Sequence, residues 1–246
     1  MSLLLKEFGP SIWMVQGPIV NFFGCPYPTR MVVIQLDDGE STWIWSPVAL
    51  TEELKAEMTF LKLDNVQYVV SPNKIHHIFL SEWQDAFPKA SFYAPPGLRD
   101  RNVAKDIRFD VDLSDNEETM PYRSDIRQVI VRGSFFMEEV AFYHPKSKTA
   151  LICDLIQKFP EEQALGFVGT LMNIDGLVGK DGSTPREWRF SFLTGKEEAR
   201  KARDVIVKDW RPEKLIIAHG ECVADGTATE VISKALGWLD QFHALW

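Results

Sequence analysis

The sequence predicts an α/β protein in which β-sheets form a sandwich with helices packed outside. The chain has 246 residues, 45% of them hydrophobic, which is enough to bury a large core. A β-rich first half is followed by a mid-chain helix, a second set of strands and then further helices, an order typical of such layers. No internal repeat, low-complexity tract or linker is evident, so we expect one domain over residues 1–246.

The first half supplies strands and two helices. The run "SIWMVQGPIVNFFG" alternates loosely and reaches "GCPYP", which predicts a turn-rich break. Asp38-Gly39 lies between the β-rich runs "RMVVIQL" and "STWIWSP", a pattern that indicates a hairpin. Thr51 precedes acidic residues and helically spaced apolar residues, which predicts an N-capped helix. The segments that follow predict a buried strand, a helix, a strand and a polar surface excursion: "VQYVV", "LSEWQDAFP", "ASFYAPPGL" and residues 106–125.

The second half returns to strands before it ends in helices. Three consecutive strands are predicted in "IRQVIVRGS", "EEVAFYHP" and "TALICDLI". His144 falls in the predicted turn "HPKSK", where we expect it to be exposed to solvent. An amphipathic helix, a strand and a final helix are predicted in "KEEARKARDVIVKDW", "KLIIAHGE" and "TEVISKALGWLDQFHALW".

The charge and the termini exclude several classes of partner. The net charge of −8, without a cluster of Lys and Arg, argues against binding to nucleic acid or to an anionic membrane surface. The first residues lack the features of a signal peptide, and no apolar run is long enough for a membrane helix. Three cysteines are too few for a disulfide framework, so we expect a cytoplasmic protein.

Three apolar runs end in polar residues that could bind a metal. "YVVSPNKIHH" leads to His76 and His77, "ALICD" to Asp154, and "KLIIAHG" to His219. Loops just past strand ends are held rigidly, and a buried Asp needs a partner such as a metal or a histidine. The histidines alone leave three interpretations open: metal ligands, acid–base groups, or ordinary loop residues.

These segments resemble the metallo-β-lactamase superfamily, in which a strand leads into His-x-His-x-Asp-His and later strands end in Asp and in His-Gly. The whole chain is more closely similar to a divergent branch known as DUF4336, a domain of unknown function. The residues that carry this resemblance are "GPIVNFFGCPYPTRM", "SPVALTEEL", "SPNKIHHIFLSEW", "VRGSFF", "CDLIQKF" and "LIIAHGE". The resemblance implies an αββα sandwich of two mixed β-sheets flanked by helices.

The sequence departs from the superfamily motif at the ligands of the first metal. Pro72 and Lys74 stand where the first two histidines would fall, and His76 stands at the aspartate position. The separate middle histidine should fall within residues 133–139, which contain none. The ligands of the second metal are matched by His77, Asp154 and His219, with His76 in place of the aspartate.

The resemblance therefore implies one divalent transition metal, Zn²⁺ or Fe²⁺ or Mn²⁺, held by His76, His77, Asp154 and His219. His76 would be a fourth ligand or a proton shuttle, and Lys74 would supply positive charge beside Asp154, unless it simply points to solvent. The implied activity is hydrolysis of a small organic ester, lactone, thioester or amide, with iron-based redox chemistry as a minor variant. The alternative is a non-catalytic binding or scaffold protein whose metal site has degenerated and holds no metal.

Overall fold

The computed structural model describes residues 4–22, 25–163, 169, 173 and 176–241. The chain divides into two compact units, Met1–Ile126 and Arg127–Trp246. Each unit contains one β-sheet among the described residues, and both sheets are mixed. A single domain over residues 1–246 stays a prediction. In the described ranges, no helix has the length and apolar character needed to cross a membrane.

The first unit is built on a seven-stranded sheet in which the strands follow chain order. Its strands are β1 (Lys6–Gly9), β2 (Ile12–Phe22), β3 (Cys25–Gln35), β4 (Thr42–Trp45), β5 (Val66–Val70), β6 (Ser91–Ala94) and β7 (Val111–Asp112). The first four strands are antiparallel neighbours, and β4 to β7 are parallel. The carboxyl ends of β4, β5 and β6 therefore lie at the same edge of the sheet.

Local sequence signals explain most of these elements. Gly39 adopts a positive φ of 74° in the hairpin turn between β3 and β4, as the Asp-Gly pair predicts. Helix α1 (Glu52–Phe60) begins after Thr51, whose side chain accepts a hydrogen bond from the backbone of Leu54. Strand β3 runs through residues 25–28, so the break predicted at "GCPYP" is wrong there, and Gly24 lies outside the described residues.

Helices pack on one face of this sheet. Helix α2 (Leu80–Ala86) contributes Leu80 and Trp83 to an apolar cluster that also contains Val33, Ile44 and Phe92 from the strands. The indole of Trp83 donates a hydrogen bond of 2.7 Å to the carbonyl of Val48, which satisfies its polar atom within the core.

Residues 106–125 are more than the polar surface excursion that their composition predicts. They contain β7 and the buried Tyr122, whose ring makes edge contacts with the rings of Trp43, Tyr68 and Tyr93. Burial, above all, raises the pKa of Tyr122 well above its ordinary value. One aromatic residue thus fixes a segment that is otherwise polar against the sheet.

The second unit is built on a four-stranded sheet in the order β11-β10-β9-β8. Its strands are β8 (Arg127–Val131), β9 (Glu139–His144), β10 (Thr149–Ile152) and β11 (Lys214–Ile217). Strands β8, β9 and β10 are antiparallel, whereas β10 and β11 are parallel. Its described helices include α3 (Arg186–Phe190), α4 (Lys196–Asp204), a π-helical continuation (Val205–Trp210) and α5 (Ala228–Ala235).

The predicted pair of mixed sheets with flanking helices is confirmed in these two units. In the second unit, α4 contacts β8 and α5 contacts β11. The final predicted helix is shorter than expected, because α5 ends at Ala235 and a 3₁₀ turn follows over Gly237–Asp240. Residues 242–246, which that prediction included, lie outside the described residues.

The prediction that His144 is exposed is wrong. His144 is the last residue of β9 and is only 2% exposed. Its Nδ1 atom lies 2.7 Å from the hydroxyl of Ser147, which in turn donates a hydrogen bond to Thr149. Because local hydroxyl groups satisfy the imidazole, it can be buried at the turn at low cost.

Candidate functional site

The carboxyl ends of β10 and β11 carry a buried acid–imidazole pair. The strands are parallel neighbours, with Ile152 in register with Ile217. Asp154 and His219 each lie two residues beyond the end of their strand, so they are side by side. His219 Nε2 is 2.8 Å from Asp154 Oδ1. Each residue is 5% exposed. Asp154 is thus a buried carboxylate with a histidine partner, one of the two kinds of partner expected from the sequence.

A second buried carboxylate holds the backbone around this pair. Glu139, at the start of β9, is 1% exposed. Its Oε1 accepts a hydrogen bond from the N–H of Cys153 and its Oε2 one from the N–H of Asp154, both 2.8 Å long. The N–H of Leu155 lies at 3.4 and 3.3 Å from the same oxygens. Glu139 therefore fixes the turn that carries Asp154 and acts as a positioning residue.

The thiol of Cys153 lies close to the carboxylates of Glu139 and Asp154. Cys153 is fully buried. Its sulfur and one carboxylate oxygen each from Glu139 and Asp154 lie within 4.8 Å of one another. These three donors could together hold a metal, but the carboxylate of Glu139 already accepts backbone hydrogen bonds. Glu139 is therefore committed to the backbone, and Asp154 and His219 are the candidate metal ligands of this unit.

Gly220 lets the chain leave the site directly after His219. Its φ is +105°, a conformation that residues with a side chain rarely adopt. A Cβ atom at this position would lie 1.9 Å from the carbonyl oxygen of Lys158. That carbonyl accepts a hydrogen bond from the N–H of Glu221, so the close approach is part of the fold. The glycine of "AHG" is therefore required by the backbone.

In the first unit, His76 is oriented by two serines that follow strand ends. Ser46, directly after β4, has its Oγ 2.8 Å from His76 Nδ1. Ser71, directly after β5, has its Oγ 2.7 Å from the carbonyl oxygen of His76. Ser46 also has a positive φ of 52°, which is unusual for a residue other than glycine. The contact with Ser46 fixes the orientation of the His76 ring and thereby the position of Nε2.

His77 differs from its neighbour, because its Nδ1 atom is buried and makes no hydrogen bond to any described residue. Burial, followed by the nearby positive charge of Arg101, holds the pKa of the imidazole below its ordinary value. Backbone groups of Ile75 and Lys74 oppose this shift in part, although neither has the geometry of a hydrogen bond to Nδ1. A buried imidazole nitrogen without a partner is uncommon and suits a group that binds a ligand.

Lys74 lies in the same loop and is half-buried. Its carbonyl oxygen accepts a hydrogen bond of 2.6 Å from a guanidinium nitrogen of Arg101. One residue earlier, the side chain of the buried Asn73 accepts a hydrogen bond of 3.0 Å from the N–H of Ile75. These bonds fix the backbone that presents Lys74, His76 and His77.

Of the five residues proposed from the sequence, Asp154 and His219 form a pair in the second unit. Lys74, His76 and His77 share one loop of the first unit. That the two groups share one metal ion stays a prediction.

The sequence interpretation missed Ser46, Ser71 and Glu139. The two serines could have been found by the signal that singled out Asp154, since each is a polar residue directly after an apolar strand. Glu139 carries no such signal, because its partners are 14–16 residues away in sequence.

The model of the family described as "Domain of unknown function (DUF4336)" matches residues 11–171. The chain belongs to the DUF4336 family. The match includes the His76–His77 loop, Glu139 and Asp154, whereas His219 lies beyond it. No curated protein matches this DUF4336 chain.

Solved structures establish the fold of this DUF4336 protein. A metallo-β-lactamase from Pontibacter korlensis has a TM-score of 0.57 at 14% identity, covering 96% of this chain and 99% of that one. A putative diflavin flavoprotein fragment from Nostoc sp. PCC 7120 has a TM-score of 0.61 at 11% identity, covering 96% and 95%. For rubredoxin oxygen:oxidoreductase from Desulfovibrio gigas, the TM-score is 0.65 at 12% identity, with 96% of this chain and 62% of that one covered. The chain therefore has a metallo-β-lactamase-like fold.

Proposed function

We propose that this protein is a mononuclear metal-dependent hydrolase of a small organic ester, lactone, thioester or amide. The observation that carries the proposal is the buried pair of Asp154 and His219 at the ends of two parallel strands. One protein of similar fold is a metallo-β-lactamase, whose name denotes metal-dependent cleavage of a cyclic amide. The expected ligand is a small molecule.

The proposed metal ligands are His76, His77, Asp154 and His219. Three imidazoles and one carboxylate form a donor set suited to Zn²⁺, Fe²⁺ or Mn²⁺. The described residues fit this role in two ways. His77 has a buried ring nitrogen that no described residue satisfies, and Asp154 and His219 bring a carboxylate oxygen and a ring nitrogen within 2.8 Å.

A bound ion would lower the pKa of a water molecule and polarise the substrate carbonyl group. The protein's own residues would position the reacting groups around it. Ser46 holds the ring of His76 so that Nε2 can bind the ion or carry a proton. Glu139 fixes the backbone of Asp154. Lys74 would provide positive charge near Asp154 in place of the first metal of the superfamily.

One observation favours the alternative, a non-catalytic protein that retains the fold for binding or scaffolding. Asp154 and His219 already lie at hydrogen-bond distance, and the same is true of Ser46 and His76. These residues could therefore persist as structural hydrogen bonds without a metal. The two hypotheses differ in the metal content of the protein.

Metal content should be measured by elemental analysis on protein purified without chelators. We expect near-stoichiometric Zn, Fe or Mn in the wild type and little in His77→Ala or His219→Ala. His144→Ala is the matched control, because it removes a buried histidine of the second unit that is not a proposed ligand. A wild-type content below about a tenth of an equivalent favours the scaffold hypothesis.

Activity should then be measured on a panel of esters, lactones, thioesters and β-lactams. We expect Lys74→Ala to lower kcat/KM by more than the exposed control Lys105→Ala does. If Lys74→Ala has the activity, melting temperature and metal content of the wild type, Lys74 has no role at the site.

A further inference from the structure

A polar pocket of about 430 Å³ lies in the second unit and is distinct from the acid–imidazole pair. It is lined by the glycine-rich loop 176–183, by α3 and by Lys234 of α5. The family match ends at residue 171, so every residue of the pocket lies outside it. We propose that this pocket binds the phosphate group of a small phosphorylated molecule, an inference that does not depend on the proposed hydrolase activity.

The side chains around the pocket carry an excess of positive charge. Its lining includes Lys180, Arg186, Arg189 and Lys234, against one carboxylate, Asp181. Asp181 Oδ1 lies 3.4 Å from Lys234 Nζ, so this carboxylate neutralises part of the positive charge. In a chain with a net charge of −8, such an excess is a local feature of the surface. It favours a compact anion with more than one negative charge.

Glu230 also reduces the positive charge at the pocket. It lies next to the pocket on α5, with its carboxylate 2.9 Å from the ammonium group of Lys234. Lys234 is therefore shared between two carboxylates, whereas Lys180 is exposed and forms no ion pair with any described residue. We expect Lys180 to contribute most of the attraction to an incoming anion, with a further contribution from the exposed Arg186 in the pocket lining.

The backbone of the loop adds hydrogen-bond donors. Gly179 and Gly182 have positive φ angles of 101° and 64°, and between them the chain turns sharply. Within the described part of the chain, the N–H groups of Lys180, Asp181 and Gly182 have no hydrogen-bond acceptor. Successive N–H groups without an acceptor are available to an anion bound at the loop.

The loop is held in this shape by close packing. A Cβ atom on Gly182 would lie 2.5 Å from the carbonyl oxygen of Gln157, so no larger residue fits without a shift of the backbone. Arg189 is also held in place, because its Nε donates to the carbonyl of Thr184 and its Nη2 to the hydroxyl of Ser183, both at 2.5 Å. The guanidinium group is thus pre-oriented beside the pocket, which lowers the entropy lost on binding an anion.

The arrangement suits a phosphate better than a carboxylate. Cationic groups reach the pocket from a loop and from two helices, and phosphate presents several charged oxygens that can contact donors from different directions. A carboxylate has only two oxygens in one plane and is well satisfied by a single guanidinium group. The volume of the pocket lies within the range of small-molecule sites.

The test is isothermal titration calorimetry of the whole protein with inorganic phosphate at constant ionic strength. Parallel titrations use glycerol phosphate, as a phosphate ester, and succinate, as a carboxylate. We expect saturable binding of one phosphate per chain and a Kd about tenfold higher in Lys180→Gln and in Arg186→Gln. Asp181→Asn should lower the Kd, since it removes the opposing charge.

Lys201→Gln is the matched control, because it removes one exposed positive charge of the same unit outside the pocket. Its Kd should stay within twofold of the wild type. Tighter binding of the ester than of inorganic phosphate would identify a phosphorylated metabolite as the ligand class. The proposal is overturned if phosphate does not saturate, if succinate binds more tightly, or if Lys201→Gln weakens binding as much as the pocket variants do.

Discussion

Replacing Glu139 with glutamine exchanges one carboxylate oxygen for an amide NH2 group at the point where the backbone N–H groups of Cys153 and Asp154 meet the side chain. In the wild type, one oxygen accepts from Cys153 and the other from Asp154, each at 2.8 Å. An amide nitrogen cannot accept a hydrogen bond, so one of these buried N–H groups would face another donor. Losing a charge-assisted bond costs about 1.5–3 kcal/mol, and leaving a buried donor unsatisfied costs about 1–3 kcal/mol. We expect Glu139→Gln to lower the free energy of unfolding by about 3–5 kcal/mol.

The adjacent residue provides the control for this measurement. Glu138 lies 2.8 Å from Arg132, but both side chains are partly exposed, and the pair should contribute below about 1 kcal/mol. Urea unfolding of Glu139→Gln and Glu138→Gln, with equal m-values, would measure the difference. If the two variants lose the same stability, the carboxylate of Glu139 does not hold the turn and its assigned role is wrong. A fall in metal content in Glu139→Gln alone would add that the turn positions Asp154.

Two further predictions concern the backbone and the protonation of the site. In urea unfolding, Gly220→Ala should lower the free energy of unfolding by more than the control Gly226→Ala does. Both glycines have a positive φ, but only a Cβ at position 220 would lie against the carbonyl of Lys158. Equal losses of stability would mean that this contact is relieved without cost. The imidazole of His77 should titrate below its ordinary pKa of about 6.5 in NMR spectra of chelator-treated protein, and Arg101→Gln should raise that pKa. Because the folded protein then binds fewer protons than the unfolded chain, this residue should lower stability as the pH falls below about 6.5. A pKa for His77 above that of the unfolded chain would contradict the shift that burial and Arg101 cause.

The sequence predicted those parts of the fold that depend on local chemistry. The Asp38-Gly39 turn and the Thr51 cap are specified by neighbouring residues, and both are confirmed. Asp154 was identified because a charged residue directly after an apolar strand must have a partner wherever it is buried. The partner proved to be His219, whose place is fixed by the parallel pairing of the two strands.

The errors come from contacts that short-range patterns do not contain. His144 looked exposed because it stands beside a turn, yet the hydroxyl of Ser147 allows it to be buried. Tyr122 lies in a polar segment, and its burial depends on three aromatic rings from distant parts of the first unit. In the sequence, Glu139 looks like any acidic residue at the start of a strand. Its role is visible only when folding places the turn after β10, with Asp154, beside it.

The in-register position of Asp154 and His219 determines which insertions and deletions in the chain would disturb the pair. The strand partners Thr149 and Lys214 are separated by 65 residues, and so are Asp154 and His219. Strand pairing thus sets the register of the two residues, and length changes in the connection between β10 and β11 that keep Lys158 against Gly220 should leave that register unchanged. A single residue inserted between Thr149 and Asp154 would instead turn the carboxylate to the opposite face of the sheet. Loop grafting in the connection and point insertions in the strands should therefore have opposite effects on the pair.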